Sequence, residues 1–291
     1  MRWALRLTVV WGLLAVALPL AMILAVSVAT RETYGTIAWT VTLDNYLDLL
    51  HPLYGRILFQ SIGMAVLTTV LCFVLGFPLA YLLARSRPTW QRIGLVLTII
   101  PLWTNFLVRT YAWIVLLQQE GVVNGTLAAI GAMTEPLPLL FTPGAVIVGL
   151  VYGYLPFMVL PIYGAMERIP MAVEEAARDL YASTWTVLLR IVAPLALPGI
   201  ASGSLLVFLA SFGAYLTPDL LGGAKTMMVG NLIQHEFLAV RDWPLGAALA
   251  VMVVVVALAV VAIGRTVERR WNGLVEASPA SPAAIGSAVR S

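Results

Sequence analysis

Long apolar runs, separated by shorter polar stretches, make up most of this chain. A helix crosses the hydrocarbon core of a bilayer with roughly 20 apolar residues, since the core is about 30 Å thick and each residue rises about 1.5 Å. Lipid satisfies no backbone N–H or C=O group, and the runs lack the alternation of a membrane β-strand, so helices are expected. The pattern predicts an all-α membrane protein with about six transmembrane helices, approximately at Leu7–Ala29, Ile57–Ala84, Ile93–Leu117, Gly144–Met166, Leu197–Leu216 and Leu245–Gly264.

The first apolar run has two interpretations. Arg2 and Arg6 precede it and small residues end it, as in a signal peptide. Its apolar core of about 22 residues, however, is longer than the roughly 7–15 residues of a signal-peptide core. A retained transmembrane helix is therefore favoured.

Basic residues are distributed unequally between the segments that join the spans. With six spans both termini lie on one side, and the segments on that side hold twelve Arg residues. The segments on the other side hold four basic residues: Arg31, Arg56, Lys225 and Arg241. Because cytoplasmic segments carry the basic excess, both termini of this multi-pass protein are predicted to be cytoplasmic.

Composition excludes several classes of function. Charged residues make up 11% of the chain, against about 25% in soluble domains. The single Cys72 cannot form an internal disulfide, and His51 and His235 have no zinc-site spacing, so no metal site is predicted. An intramembrane enzyme would need a dyad or cluster within the spans, and none is present, so no catalytic residue is predicted. Nothing in the pattern indicates a nucleic-acid partner.

The glycine-rich stretch Gly222–Thr226 is the one candidate for a phosphate-binding loop. A Walker A motif needs glycine directly before the lysine, but Ala224 precedes Lys225. We therefore expect the chain to have no ATPase site and to bind no cofactor itself.

A polar, amphipathic segment lies between the fourth and fifth spans. Pro170 can open a helix there. Glu174 and Glu175 follow near its N-terminus, where the helix dipole favours negative charge. Glu174 and Arg178 have the i,i+4 spacing of a stabilising ion pair. The pattern predicts a short helix on the cytoplasmic side with a face suited to docking.

This segment resembles the EAA loop of ABC importer permeases, which reads E-A-A-x-x-x-G and, nine residues later, I-x-L-P. Tyr181 stands where the family has glycine, and Ala193 where it has leucine. The resemblance implies a coupling helix that seats on a cytoplasmic ATPase subunit; the alternative is an ordinary amphipathic loop helix. The residues assigned to the coupling loop are Glu174, Glu175, Ala176, Ala177, Arg178, Asp179, Leu180, Tyr181, Ile191 and Pro194.

Four further fragments, LVRTYAWIVL, YGYLPFMVLPIY, SFGAYLTPDLLGG and WPLGAA, resemble the spermidine/putrescine-type branch of these permeases. The likeness extends from about Leu43 to Arg269. It implies a type I ABC importer permease, multi-pass in the bacterial inner (plasma) membrane. Such a permease works with two copies of an ATP-using ATPase subunit, a second and different permease chain, and an extracytoplasmic solute-binding protein. A polyamine is the favoured solute, and other small solutes remain open. The outer segments hold eight acids against four bases, which would attract a polycation.

Candidate residues of the translocation path are few. Arg109 lies within the third span, where it would line a gate or pathway and pair with Glu120, or extend to the outer headgroups. Asp219 would contact a cationic solute or simply end a helix. Aromatic candidates, which could equally be packing or interfacial residues, are Trp113, Tyr152 and Tyr215. An ion-coupled secondary transporter is the alternative class, but it needs charges at the membrane midplane, and only Arg109 approaches that.

The predicted organisation has three parts. Residues 1–56 form the first helix and an outer loop. Residues 57–264 form a permease core of five helices, with the coupling loop at 167–194. Residues 265–291 form a cytoplasmic tail that is partly disordered, because the composition after Asn272 is rich in Ala, Ser and Pro.

Overall fold

The computed structural model describes residues 2–32, 35–133 and 135–276. These residues are mainly helical, with one short antiparallel hairpin in which β1 (Thr30–Arg31) pairs with β2 (Ile37–Ala38). The α-helices in chain order are α1 (Arg2–Ser27), α2 (Asp44–Asp48), α3 (Pro52–Ala84), α4 (Pro88–Trp103), α5 (Phe106–Leu117), α6 (Val122–Ala129), α7 (Pro143–Met166), α8 (Met171–Asp179), α9 (Thr184–Val187), α10 (Ala193–Leu195), α11 (Leu197–Phe212), α12 (Leu216–Gly222), α13 (Val229–His235) and α14 (Trp243–Glu276). Further helical turns are π-helical at Leu188–Val192 and Glu236–Val240 and 3-10 at Gly223–Lys225.

Four stretches in the described residues are long and apolar enough to cross a membrane as single helices. Two broken pairs of helices also qualify, and the predicted number of six is reached if each pair forms one crossing. The all-α membrane fold is therefore confirmed. The four unbroken stretches are Arg6–Ser27, Pro52–Ala84, Pro143–Met166 and Trp243–Thr266.

The third predicted span is not the continuous helix that its apolar pattern indicated. α4 ends at Trp103 and α5 begins at Phe106, with Thr104 in an extended conformation between them. Pro101 has no N–H to donate to the preceding turn, so the helix is already weakened there. The Thr104 hydroxyl then donates to the Pro101 carbonyl oxygen (2.9 Å), which satisfies an acceptor that the helix leaves open.

The last two spans also differ from their predicted limits. The segments Thr184–Leu195 and Leu197–Phe212 meet at a bend of 73°, and α11 ends at Phe212 rather than at Leu216. α14 continues to Glu276, so the part of the predicted tail that follows Asn272 begins as helix. The rest of that tail, 277–291, lies outside the described residues.

The described residues form two compact units. The first unit comes from the described residues of 1–67, from Phe106–Leu150, in which 134 is not described, and from Ala210–Val256. The second comes from Thr68–Asn105, Val151–Leu209 and 257–276.

The first unit is held by apolar packing and by buried polar pairs. Ile57, Leu232 and Leu249 form one of its buried clusters. Fully buried Ser61 donates to the Ile57 carbonyl (2.7 Å) and accepts from the Val229 backbone N–H (2.8 Å). A single hydroxyl thus satisfies a helix acceptor and the first N–H of α13, which burial would otherwise leave unpaired.

The second unit has a buried core in which α3, α7 and α11 meet. Met158, Val159 and Ile162 of α7 are fully buried in it. On α11, Gly199 and Gly203 are spaced i,i+4 and lie against the backbone of α7. Small residues at this spacing let membrane helices approach closely, so van der Waals contact can hold them in the absence of a hydrophobic driving force.

Candidate functional site

The predicted amphipathic helix of the loop between the fourth and fifth spans is present as α8. Pro170 occupies its N-cap in an extended conformation, and the helix ends at Asp179. The acidic residue in its first turn is Glu174, and the basic residue in its last turn is Arg178. Both charges have the sign that the helix dipole favours at these ends.

α8 has a buried face and an exposed face that divide the residues of the EAA-like motif. Glu174 and Ala177 are 5% and 9% exposed, and Ala177 belongs to the core of the second unit. The exposed residues are Glu175, Ala176, Arg178 and Asp179. Because positions three apart share a helix face, Glu174 and Ala177 anchor the helix while Glu175 and Ala176 remain available to a partner.

The buried carboxylate of Glu174 is held by two side chains from the end of α3. Its Oε2 accepts from the Tyr81 hydroxyl at 2.9 Å, and its Oε1 accepts from Arg85 Nε at 2.7 Å. Arg85 Nη2 also lies 2.6 Å from Oε1, with Arg85 only 12% exposed. The predicted ion pair between Glu174 and Arg178 is therefore wrong: a nearly desolvated arginine from another helix is the partner.

Tyr181 takes the backbone conformation of the glycine that it replaces. Its φ is +60°, in the left-handed region that glycine adopts without steric cost. Its N–H donates to the Arg178 carbonyl (2.9 Å), and the N–H of Ala182 donates to the Ala177 carbonyl (3.1 Å). These two bonds form a Schellman motif, so the loop keeps its tight turn although a bulky residue occupies the position that favours glycine.

The second half of the loop is a capped, partly irregular helix. Ser183 caps α9 by accepting from the Thr186 backbone N–H at 3.2 Å. A π-helical turn then carries half-buried Ile191, and half-buried Pro194 follows in α10. Leu180 and Tyr181, at the turn before this helix, are 82% and 98% exposed. The loop thus presents two large exposed side chains directly after the exposed face of α8.

Four of the predicted path residues belong to the first unit. Arg109 and Trp113 lie on α5, which packs against α12. Asp219 is exposed in the first turn of α12, and Tyr215, 46% exposed, caps that helix. The Tyr215 carbonyl accepts from the buried Asn231 amide (2.7 Å), which fixes the start of α12. The two helices therefore bring these candidates into one part of the unit.

Arg109 does not pair with Glu120 in the described part of the chain. Its guanidinium carbon lies 5.4 Å from the centre of the Phe106 ring, a cation–π contact. Its Nε and Nη1 atoms are buried and have no hydrogen-bond partner among the residues that the structure describes. The other candidate, Tyr152, is 40% exposed on α7 and belongs to the second unit.

No pattern in the sequence predicted a buried carboxyl at Glu236, in the π-helical turn after α13. Glu236 is 8% exposed, and its Oε1 lies 3.8 Å from Nδ1 of His235. Burial raises the pKa of this carboxyl above its ordinary value; the neighbouring Asp242 adds to the rise, while His235 and Arg31 oppose it. Arg31 in turn pairs with Asp242 at 3.3 Å, so the four groups form one electrostatic cluster.

Comparison with known proteins finds relatives that are inner-membrane or permease proteins of transport systems. Residues 76–273 match the family described as binding-protein-dependent transport system inner membrane component. The chain is 44% identical over 246 residues to the spermidine/putrescine transport system permease protein PotB of Escherichia coli (strain K12), covering 84% of this chain and 90% of that protein. It is 30% identical to the inner membrane ABC transporter permease protein YdcU of the same organism, covering 74% of this chain and 72% of that protein.

Solved structures share the fold at low sequence identity. A chain of the bacterial alginate ABC transporter, in complex with an alginate pentasaccharide-bound periplasmic protein, aligns with a TM-score of 0.72 at 18% identity, covering 92% of this chain and 93% of that one. A chain of the MetNI methionine ABC transporter, in an inward-facing conformation, aligns with a TM-score of 0.57 at 18% identity, covering 76% of this chain and 98% of that one. The break between α4 and α5 and the bend before α11 therefore occur within a fold that ABC transporters use.

Proposed function

Because the chain belongs to the family of binding-protein-dependent transport system inner membrane components, we propose that a separate ATPase subunit drives it through the exposed face of α8. One observation supports this most directly: the motif residues Glu175 and Ala176 face outward while Glu174 and Ala177 anchor the helix. A helix fixed on one side and open on the other can receive a displacement from a partner and pass it to the membrane helices. In this proposal α8 lies on the cytoplasmic side, together with both termini.

The turn after α8 extends this docking surface. Leu180 and Tyr181 are almost fully exposed, and Tyr181 is held in place by the Schellman motif. An aromatic side chain that enters a pocket can contribute strongly to an interface. We propose that these two side chains enter the groove of the ATPase that receives α8.

A charge-reversal experiment tests the docking surface. Glu175→Arg introduces a positive charge on the exposed face without disturbing the buried Glu174, so the chain should reach the membrane normally but no longer copurify with its ATPase. Arg92→Glu, also an exposed charge reversal but on α4, is the matched control and should retain the ATPase. Copurification unchanged by Glu175→Arg would overturn the assignment of this face.

The solute that we propose is a polyamine, delivered by an extracytoplasmic binding protein to a path formed with a second, different permease chain. Two observations support it: the 44% identity to PotB over most of both chains, and the surplus of acids over bases in the predicted outer segments. A negative vestibule raises the local concentration of a polycation. Two ATPase copies, one beneath each permease, complete the proposed complex.

Uptake of labelled spermidine and putrescine tests the solute. Cells that express the chain with its ATPase, second permease and binding protein should accumulate either polyamine only when all four components are present. Competition by an unrelated small solute, with no polyamine uptake, would instead indicate an importer of another solute. Uptake that persists without the ATPase would favour an ion-coupled transporter.

A further inference from the structure

The polar cluster at the end of α3 contains two residues outside the motif that first indicated a coupling role. Arg85 directly follows the last residue of α3, and its N–H donates to the Tyr81 carbonyl at 3.1 Å, so the two side chains lie on one face at the end of the helix. Each binds a different oxygen of the same carboxylate, Tyr81 the Oε2 atom of Glu174 and Arg85 the Oε1 atom. The orientation of the carboxylate is thereby fixed from two directions.

The chain connects α8 to some helices directly but not to α3. A short segment joins the end of α7 at Met166 to the start of α8 at Met171. Another short segment joins the end of α8 at Asp179 to the start of α9 at Thr184. Arg85 and Glu174, by contrast, are 89 positions apart in the sequence. Any displacement of α8 reaches α3 only through non-covalent contacts.

The contacts between α8 and α3 are of two kinds, and they resist movement differently. Ala177 belongs to an apolar cluster that includes Ala80 and Leu83 of α3. Apolar contacts have no fixed direction, so one surface can slide over the other without a large cost. A desolvated, hydrogen-bonded ion pair is directional, and separating it leaves two uncompensated charges away from water.

We infer that Tyr81, Arg85 and Glu174 form a rigid strut that makes α3 move with α8 when the ATPase acts. The inference rests on the proposed function, because it needs an ATPase that displaces α8. In this inference the three residues are positioning residues, because they act by connecting the docked helix to a membrane helix. Without the strut, α8 would still bind the ATPase, and nucleotide hydrolysis would no longer be converted into movement of α3.

The test measures two activities of the assembled complex, reconstituted in vesicles with its ATPase, second permease and binding protein. Glu174→Gln keeps the size of the side chain and removes its charge, while Arg85→Gln removes the opposite charge. We expect each variant to retain ATP hydrolysis and to lose most uptake, lowering the uptake per ATP by about tenfold, the effect of a 1.4 kcal/mol change in an equilibrium. Tyr81→Phe, which removes one of the hydrogen bonds, should have a smaller effect in the same direction.

Arg87→Gln is the matched control for charge removal. Arg87 is an exposed arginine two residues beyond Arg85, and it should keep the wild-type ratio of uptake to ATP hydrolysis. A variant that merely misfolds loses both activities, or the assembly itself, whereas an uncoupled variant loses only uptake.

A covalent replacement of the strut addresses the case in which the charge variants do not fold. The double variant Arg85→Cys/Glu174→Cys leaves neither charge behind, and a short bifunctional thiol reagent can then join the two positions. We expect the complex to be uncoupled before the reagent is added and to recover uptake afterwards. Native Cys72 is fully buried, which keeps it out of reach of the reagent.

The outcomes separate the strut from the proposed function. If the ATPase does not join the wild-type complex, the proposed function is wrong, and the strut, which depends on it, is wrong as well. If the ATPase joins, but Glu174→Gln keeps the wild-type uptake per ATP and the crosslink changes nothing, only the strut is wrong.

Discussion

Gly199 of α11 lies so close to Pro161 of α7 that a Cβ atom added to the glycine would sit 2.5 Å from the proline carbonyl oxygen. The same added atom would lie 3.1 Å from the Cα of Ile162. Backbone atoms cannot move aside as the end of a flexible side chain can. The approach of the two helices in the second unit therefore depends on glycine at this position.

We predict that Gly199→Ala destabilises the protein by about 1–3 kcal/mol, the usual cost of overpacking a close contact. The measurement is thermal unfolding of the purified complex in detergent. Gly164→Ala is the matched control, because Gly164 lies on α7 and an added Cβ there meets nothing within 4 Å. Since alanine favours helix over glycine, the control should unfold at the same or a higher temperature. Equal midpoints for the two variants would contradict the close approach.

Tyr181 carries a conformational cost that its side chain does not offset within this chain. Its φ is +60° and its side chain is 98% exposed, so the left-handed backbone is strained and little intramolecular packing is gained. We predict that Tyr181→Gly raises the stability of the isolated chain by about 1 kcal/mol.

Tyr181→Ala is the control for this prediction, because alanine removes the ring but keeps the strain. Glycine should raise the unfolding midpoint above both tyrosine and alanine. If alanine gives the same gain, the ring rather than the backbone is responsible. The same glycine variant should weaken retention of the ATPase, if the ring enters the groove as proposed.

The sequence predicts the parts of this fold that depend on local pattern. Continuous apolar runs predict the membrane helices, because backbone groups in lipid must be paired within each helix. Pro170 and the i,i+4 spacing of Glu174 and Arg178 predict α8, because helix periodicity shows within a few residues. The pairing of Glu174 with Arg85 could not be predicted, since it joins positions 89 apart and a local i,i+4 partner was available. In the folded chain the Glu174 carboxylate is buried next to the end of α3, and Arg85 rather than Arg178 is therefore its partner.

Three other features escaped prediction for different physical reasons. The break between Trp103 and Phe106 falls at the polar residues Thr104 and Asn105, shortly after Pro101, but the mean hydropathy of the whole span is the same for a straight helix and a broken one. The left-handed Tyr181 has no signature of its own, because the usual one is glycine. The burial of Glu236 depends on the packing of the π-helical turn, which periodicity does not reveal.

The buried Glu236 makes the stability of the first unit depend on pH. Burial raises the pKa of its carboxyl above the ordinary value of about 4.5, which means that the folded state prefers the protonated form. The contribution of this carboxyl to the free energy of unfolding is fully present below its ordinary pKa. It is lost as the pH rises through the raised pKa of the folded state. At neutral pH the carboxylate is therefore a destabilising group.

We predict that Glu236→Gln raises the unfolding midpoint at neutral pH and that this gain disappears as the pH falls below about 4.5, where the wild-type carboxyl is protonated. Glu135→Gln, at an exposed carboxyl of the same unit, should give no comparable gain. The measurement is a series of thermal unfolding curves of the complex across pH. A gain that persists unchanged into the acidic range would show that packing, not ionisation, is responsible.

Asp219 is a candidate for contact with a cationic solute, because its carboxylate is exposed in the first turn of α12. An exposed ion pair contributes about 0.2–1 kcal/mol, so Asp219→Asn should raise the half-saturation concentration for spermidine by about 1.4- to 5-fold. The maximal rate should stay close to that of the wild type, because the loss concerns encounter with the solute rather than coupling. Asp219→Glu, which keeps the charge, should restore most of the affinity, and Glu135→Gln should leave the half-saturation concentration unchanged. Equal half-saturation concentrations for Asp219→Asn and the wild type would mean that the carboxylate only stabilises the first turn of α12 and does not contact the solute.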